Sequence, residues 1–278
     1  MVFLTKYLFS INALSRTKRI SSLEVWSLRL LSAILLGGQV LIHLLKGKIH
    51  RRNTIEQMAA VGPDSLLIAL VTAIFVGAVF TIQVAREFIR FGATGTVGGV
   101  LALALTRELA PVLTAVVMAG RVGSAFAAEI GTMRVTEQID ALYMLKTDPI
   151  DYLVTPRVIA CCLMTPILTL FSVVTGIIGG LLIATNLYNL SQNVFLDSAR
   201  NFLDSWDLYS ALIKGACFGV MIAVIGCSWG LTTTGGAKGV GQSTTSAVVT
   251  SLLTIFIVNF FLSWVMFQGL GSAVLQNF

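Results

Sequence analysis

The chain of 278 residues is 56% hydrophobic and only 12% charged, with four cysteines and two histidines. Soluble domains have roughly 25% charged residues, so this composition excludes an ordinary soluble protein and predicts an all-α integral membrane protein. The net charge of +6 is explained by basic loops that contact anionic headgroups, so no nucleic acid partner is expected. All four cysteines lie in predicted helices, and we expect neither a disulfide framework nor a metal site.

The N-terminal segment, residues 1–61, contains an apolar stretch from Leu30 to Leu45 that is short for a membrane span. Basic clusters flank it on both sides, and the positive-inside rule places both clusters on the cytoplasmic side, which a crossing helix would not permit. One helical face carries the polar side chains Arg29, Ser32, Gln39, His43 and Lys46. We therefore predict an interfacial elbow helix over residues 22–45.

Five longer apolar segments follow, and a bilayer core about 30 Å thick needs about 20 residues for each helix. The predicted spans are residues 65–85, 98–128, 158–185, 208–231 and 247–271. A cytoplasmic N-terminus leaves most of the basic loop residues on the cytoplasmic side, whereas the inverted topology would reverse that distribution. The sequence therefore predicts a membrane domain from residue 62 to residue 278.

The second predicted span carries two adjacent charges, Arg107 and Glu108. Charges within a membrane are costly, so they usually face the interior of a helix bundle or a wet cavity. Adjacent helical positions point about 100° apart, so these side chains need not pair with each other. Two main interpretations stay open: a buried polar clamp between helices, and direct contact with a substrate. A position at the level of the lipid headgroups is a third alternative.

Small residues recur at a spacing of four along the end of this span. One line contains Gly120, Ser124 and Ala128, and the other contains Gly123, Ala127 and Gly131. This spacing lets two helix backbones approach closely in a membrane. The sequence predicts a helix-packing face without indicating whether the partner helix belongs to this chain or to a second copy.

An amphipathic helix is predicted over residues 132–144, in the connection to the third span. Val135, Ile139 and Leu142 recur on one face. The polar residues are Arg134, Glu137, Gln138 and Asp140. Such a helix lies on the membrane surface or docks its apolar face into a groove of a soluble partner.

A glycine-rich stretch, Gly235 to Gly241, follows the fourth span, but it does not form a nucleotide-binding loop. The phosphate-binding motif requires a Gly-Lys pair followed by Ser or Thr, whereas Lys238 lies between Ala237 and Gly239. We therefore expect no ATP site and no cofactor in this chain, and any ATP-driven activity must use another polypeptide.

Three segments together resemble the MlaE family of ABC-transporter permeases, which includes permeases of bacterial phospholipid trafficking and their cyanobacterial and plastid relatives. The similar segments are Leu105 to Val112, Ala119 to Leu142 (AGRVGSAFAAEIGTMRVTEQIDAL) and Asp148 to Arg157 (DPIDYLVTPR). The resemblance extends from about Gly62 to the C-terminus, while the elbow is similar in character only.

The resemblance implies a homodimeric permease that moves glycerolipids between membranes. Its expected partners are two cytoplasmic ATPase subunits, which bind ATP and Mg, and an MCE-domain substrate-binding protein. It also implies that Arg107, Glu108 and Gln83 bind lipid, and that residues 132–144 form the helix coupled to the ATPase. The expected location is a bacterial inner membrane or a plastid inner envelope membrane, with the N-terminus cytoplasmic or stromal.

Other function classes are less consistent with the residues. An ion channel or secondary transporter would also place charges within helices, but the sequence shows no inverted repeat and no paired broken helices. An intramembrane enzyme would need a nucleophile with a base or a metal set, and Ser124 has no histidine near it in the sequence. A membrane scaffold without transport activity is a further alternative.

Overall fold

A computed structural model describes residues 22–45 and 50–268 of the chain. The described residues form nine helical segments and no strand, which confirms the all-α prediction. These segments are α1 (Ser22–Leu45), α2 (Arg51–Val61), α3 (Pro63–Arg90), α4 (Thr94–Val135), α5 (Gln138–Met144), α6 (Ile150–Tyr188), α7 (Gln192–Phe202), α8 (Ser205–Leu231) and α9 (Gly236–Phe267). Segments within α1, α3, α4, α6, α8 and α9 are long and apolar enough to cross a membrane.

Four of the five predicted spans each lie within one long helix, and the fifth overlaps α9, where the largest difference is found. This helix begins at Gly236 rather than at residue 247. In its polar first turns, the hydroxyls of Thr244 and Thr245 donate to the carbonyl of Gly241 at 2.7 and 3.1 Å. Hydroxyl groups that bond to their own helix are tolerated at a helix end, so a count of apolar residues alone places the boundary too late. The last predicted residues of this span, 269–271, lie outside the described residues.

Two side chains of the predicted polar face of α1 are buried within the protein. Ser32 and His43 are buried, whereas the apolar Ile34 and Leu41 are exposed. The Ser32 hydroxyl lies 3.3 Å from that of Ser228, so part of the polar stripe is explained by packing within the protein.

The contacts of α1 nevertheless favour an interfacial orientation. Ser228 lies in the last turn of α8, and Asp151, which lies 2.5 Å from His43, is at the start of α6. In the predicted topology these two helix ends are both cytoplasmic. Ser32 and His43 are ~17 Å apart along α1, a separation that a crossing helix would place along the membrane normal. The elbow stays a prediction, because α1 is also long enough to span.

The chain divides into two compact units, which we describe separately. Among the described residues, the first contains 22–45, 50–57, Ala119–Ala160 and Val220–Leu253, and the second contains Met58–Met118, Cys161–Gly219 and 254–268. Several helices, including α4, α6 and α8, contribute one part to each unit.

In the first unit, one of the two predicted small-residue lines packs within this chain. A Cβ atom on Gly123 would lie 3.1 Å from Ile222, and one on Gly226 would lie 2.8 Å from the Gly123 carbonyl oxygen. Ala127 and Gly131 continue this line toward Gly230 and Thr233. By contrast, Gly120 is exposed, and a Cβ atom added there would have no described neighbour within 4 Å. The line of Gly120, Ser124 and Ala128 is therefore not closely packed at Gly120.

In the second unit, a longer stripe of small residues on α3 packs against α6. It consists of Ala69, Ala73, Gly77, Thr81 and Ala85, all buried and all four residues apart. A Cβ atom on Gly77 would lie 1.9 Å from the carbonyl oxygen of Gly176. This backbone contact explains the glycine, since close approach of membrane helices depends on the absence of a side chain.

We expect Gly77→Ala to lower the stability of the folded chain by about 1–3 kcal/mol, because the added methyl group must displace backbone. Gly38→Ala is the matched control: the same change is made in a helix at a position with open space, and alanine favours helices by up to about 1 kcal/mol. Thermal unfolding of the purified proteins in detergent compares the two. Equal unfolding temperatures for both variants would contradict the predicted α3–α6 packing.

Candidate functional site

The backbone that carries Arg107 and Glu108 departs from a regular α-helix. Leu105–Leu109 forms a π-helical turn, in which the Ala110 N–H donates to the Leu105 carbonyl. Residue 111 is a proline and has no N–H to give to the carbonyl of Arg107. That carbonyl instead accepts a hydrogen bond of 2.7 Å from Lys214 Nζ. π-Turns of this kind occur frequently at functional sites, and this one widens α4 where its two charges lie.

Glu108 accepts hydrogen bonds from three side chains of the second unit. Lys214 Nζ donates to its Oε1 at 2.9 Å, the Ser263 hydroxyl donates to the same oxygen at 2.6 Å, and the Asn259 amide donates to Oε2 at 2.7 Å. Lys214 also donates to the Ser263 hydroxyl at 2.8 Å, so its three N–H donors are all used. The glutamate therefore joins α4 to α8 and α9.

Arg107 pairs with a different acid on α8. Its Nε donates to Asp207 Oδ1 at 2.7 Å, and its guanidinium lies 4.7 Å from the ring centre of Phe267. Asp207 and Lys214 are seven residues apart, which places them two turns apart on one face of α8. We call Arg107, Glu108, Asp207 and Lys214 the charged network. It contains two cations and two anions, so its formal charge is balanced.

The charged network is buried on one side and accessible on the other. The side chains of Lys214 and Asp207 are 0% and 1% exposed, whereas those of Arg107 and Glu108 are 37% and 43% exposed. The two interpretations of the Arg-Glu pair are therefore compatible. Both residues hold helices together, and both also present a polar edge. Only Nε of Arg107 donates a hydrogen bond within the described residues, so its Nη groups are available for an anionic or carbonyl oxygen.

Gln83 does not join this network. It is exposed on α3, and among the described residues it makes no side-chain hydrogen bond. Four of the participating residues were not predicted from the sequence, namely Asp207, Lys214, Asn259 and Ser263. Two of them, Lys214 and Asn259, are polar residues within apolar spans and could have been grouped with Glu108, because buried polar groups require partners.

The structure corrects the helix predicted over residues 132–144. Helix α4 ends at Val135 and α5 begins at Gln138, with Glu137 between them at a left-handed φ of 61°. The Thr136 hydroxyl donates back to the Thr132 carbonyl at 2.8 Å, and the Arg134–Asp140 ion pair of 2.7 Å joins the two helices across the bend. The sequence pattern indicated the two helical faces but not the interruption.

The apolar face of this segment is also different from the predicted one. Ile139 is only 2% exposed, and Leu142 is partly buried, so this face packs within the protein and does not offer Ile139 to a partner. The exposed apolar side chains are Met144 and Leu145, which follow at the end of α5. Burial, and to a smaller extent the charge of Asp148, raises the pKa of Tyr143, so its phenol is a neutral donor at physiological pH.

Glu129 and Arg157 form a second ion pair, within the first unit. Arg157 Nη2 donates to Glu129 at 2.7 Å, its Nη1 donates to the Leu153 carbonyl at 3.1 Å, and its guanidinium lies 5.3 Å from the Phe126 ring centre. Since Arg157 is buried and already paired, we assign it a role in holding α4 against the start of α6.

Comparison with known proteins places these features in a family. The family described as Permease MlaE matches residues 54–265. The chain is 69% identical to a probable ABC transporter permease of Synechocystis, over 91% of this chain and 97% of that protein. It is 56% identical to the protein TRIGALACTOSYLDIACYLGLYCEROL 1 of Arabidopsis thaliana chloroplasts, over 90% of this chain and 71% of that protein.

A third relative, from Rickettsia typhi, is a probable ABC transporter permease that is 43% identical over 81% of this chain and 87% of its own length. Cyanobacterial and chloroplast relatives, together with the apolar helices, identify a multi-pass protein of a bacterial or plastid membrane. The chain belongs to the MlaE family of ABC transporter permeases.

Proposed function

We propose that this permease moves glycerolipids, with the exposed edge of Arg107 and Glu108 contacting the lipid headgroup. The observation that supports this proposal is the asymmetric burial of the charged network, whose inner members are sealed while its outer members are partly exposed. A guanidinium with free N–H groups suits a phosphate or a sugar oxygen. The name of the chloroplast relative is that of a galactolipid, which agrees with a lipid cargo.

The energy for transport comes from a separate ATPase subunit. The chain has no nucleotide-binding loop, and its relatives are named as permeases of ABC transporters. We assign the contact with the ATPase to α5, through Met144 and Leu145 rather than Ile139, because exposed apolar side chains that follow a short helix suit a groove. Glu137, which precedes α5, and Gln138, its first residue, are also exposed.

The proposed transport function is tested by reconstitution. The permease is co-expressed with an ATPase subunit and inserted into vesicles of phosphatidylcholine, with or without phosphatidylglycerol or a galactolipid. We expect one of these lipids to raise the rate of ATP hydrolysis several-fold. An ATPase that binds the permease but responds to none of them would contradict lipid transport.

Leu145→Asp should abolish or strongly weaken ATPase binding, because a charge at this position would have to be desolvated in the contact. Membrane insertion and the unfolding temperature should not change, since Leu145 is 74% exposed. Ile139→Asp, by contrast, should destabilise the chain itself. Co-purification with the ATPase measures binding, and Ile55→Asp, a change at another exposed apolar residue, is the control. Unchanged binding by Leu145→Asp would exclude this contact.

The permease acts as a homodimer in this proposal, and the line of Gly120, Ser124 and Ala128 is the packing face for the second copy. Gly120 is exposed, and Ser124 and Ala128 are partly exposed. Gly120→Leu should shift the purified protein from dimer to monomer in light scattering while the chain stays folded, since the side chain meets open space. Gly38→Leu, also at an open position, is the control. A dimer unchanged by Gly120→Leu would require another interface.

An MCE-domain protein on the opposite side of the membrane completes the proposed complex. This partner is supported by the family resemblance alone, and co-purification from the native membrane tests it. A complex that transports lipid without such a protein would remove it from the proposal.

A further inference from the structure

The turn between α8 and α9 forms one wall of a cavity of about 750 Å³ in the first unit. The other walls come from the N-terminal part of α1 and the first turns of α9. Its charged and aromatic lining residues are Trp26, Arg29, Trp229 and Lys238. None of the four belongs to the charged network or to the proposed ATPase contact. A cavity of this volume falls within the range of sites that bind small organic molecules.

The positive charge of the cavity is not balanced by any acidic side chain that the structure describes. Arg29 and Lys238 make no ion pair within the described residues, and the lining contains no acidic residue. The sequence reinforces this imbalance, because no Asp or Glu occurs between Asp207 and the C-terminal Phe278. Two unpaired cations at one cavity favour an anionic occupant.

The backbone at the cavity also favours an anionic occupant. Gly235 and Gly236 have positive φ angles of 90° and 66°, which lets the chain turn sharply into α9. A Cβ atom on Gly239 would lie 1.8 Å from the Thr234 carbonyl oxygen, so the turn also packs tightly against the first turn of the helix. The N–H groups of that first turn have no partner within the helix and carry its positive dipole.

The two tryptophans of the cavity differ in a way that indicates a missing partner. The indole N–H of Trp26 donates to the Thr250 hydroxyl at 3.2 Å. Trp229 is fully buried and borders the cavity, and its indole N–H has no hydrogen-bond partner in the part of the chain that the structure describes. A buried donor without an acceptor costs free energy, and an acceptor atom seated in the cavity would remove that cost.

We propose that this cavity binds a phosphate group, with Arg29, Lys238 and the Trp229 N–H as its donors. A phospholipid headgroup fits the observations better than free phosphate. The cavity is much larger than a phosphate ion, and the hydroxyls of Ser243, Thr245 and Ser246 line it beside the cations, where they can bond to a glycerol headgroup. Tryptophan and basic side chains together are also typical of the membrane interface.

The site does not depend on the proposed transport function, so binding is measured without an ATPase. The full chain is placed in nanodiscs of phosphatidylcholine that contain a small fraction of phosphatidylglycerol, and native mass spectrometry counts the retained lipids. We expect retention of phosphatidylglycerol over phosphatidylcholine, and a loss of this preference by about tenfold or more in Lys238→Gln. Trp229→Phe, which keeps an aromatic ring and removes the N–H, should weaken retention severalfold.

Lys146→Gln is the matched control, since Lys146 is exposed and does not line the cavity. A second arm measures inorganic phosphate binding by equilibrium dialysis in nanodiscs of phosphatidylcholine alone. Phosphate binding that is lost in Lys238→Gln, without a lipid preference, would identify a soluble phosphate as the ligand. Absence of both forms of binding in the wild-type protein, or equal effects of Lys238→Gln and Lys146→Gln, would overturn the proposal.

Discussion

Lys214→Met is expected to be the most destabilising single change in the charged network, at about 3 kcal/mol. Methionine has a similar length but cannot donate to the Arg107 carbonyl, Glu108 or Ser263, each of which accepts a hydrogen bond from Lys214. Breaking a buried ion pair typically costs 3–5 kcal/mol, and the lower value applies here because Glu108 is partly exposed. The thermal unfolding temperature and the yield of monodisperse protein measure the effect.

Two companion variants make this result interpretable. Lys146→Met removes an exposed lysine and should leave the unfolding temperature unchanged within a degree or two. Combining Lys214→Met with Glu108→Gln removes both charges and should recover part of the lost stability, since an apolar or neutral replacement of a pair costs less than an isolated charge. An unfolding temperature that Lys214→Met alone left unchanged would show that the charged network does not hold the helices together.

Glu108→Gln should reduce lipid-stimulated ATP hydrolysis by about tenfold or more, and it should also lower stability by about 1–2 kcal/mol, because the buried Lys214 ammonium loses its counter-charge. Glutamine keeps the shape of the side chain and an oxygen that can accept from Ser263 and Lys214. It removes the negative charge, so the positive charge of Lys214 is no longer balanced where Arg107 meets the proposed headgroup. ATPase rates in vesicles and unfolding temperatures of the same preparations separate the two effects.

Glu87→Gln is the control for this comparison, because Glu87 is a partly exposed carboxylate paired with Arg90 at the end of α3. Glu87→Gln should change neither the ATPase rate nor the unfolding temperature appreciably, since exposed ion pairs contribute little to stability. If Glu108→Gln lowered stability and transport in proportion, the charged network would be a structural clamp without a role in lipid contact.

The sequence predicted the helical class and the positions of the five long apolar helices, since a bilayer requires long runs of apolar residues and backbone bonds satisfied within each helix. It did not predict α7, a short amphipathic helix whose Ser198 hydroxyl accepts from the Gly99 N–H at 3.0 Å. It also missed the interruption at Glu137. Both features depend on contacts with residues distant in sequence or on a single unusual backbone angle, which periodicity does not encode.

The packing faces were also only partly predicted from the sequence. Spacing by four predicted the line of Gly123, Ala127 and Gly131 as a close-packing surface, and the structure provides its partner, Gly226 on α8. The stripe on α3 around Gly77 has the same spacing and was overlooked, although it makes the closer backbone contact. Spacing indicates that a helix can approach another, but the identity of the other helix is a property of the folded chain.

For the site, the sequence by itself determined that Arg107 and Glu108 lie within a membrane helix and therefore need partners, because an isolated charge there is too costly. Only the tertiary structure decided which partners they have. Asp207 and Lys214 lie about a hundred residues away and on one face of α8, and the missing N–H of Pro111 leaves the Arg107 carbonyl for Lys214. Composition determines that charges must be compensated, whereas helix packing determines which atoms are close enough to compensate them.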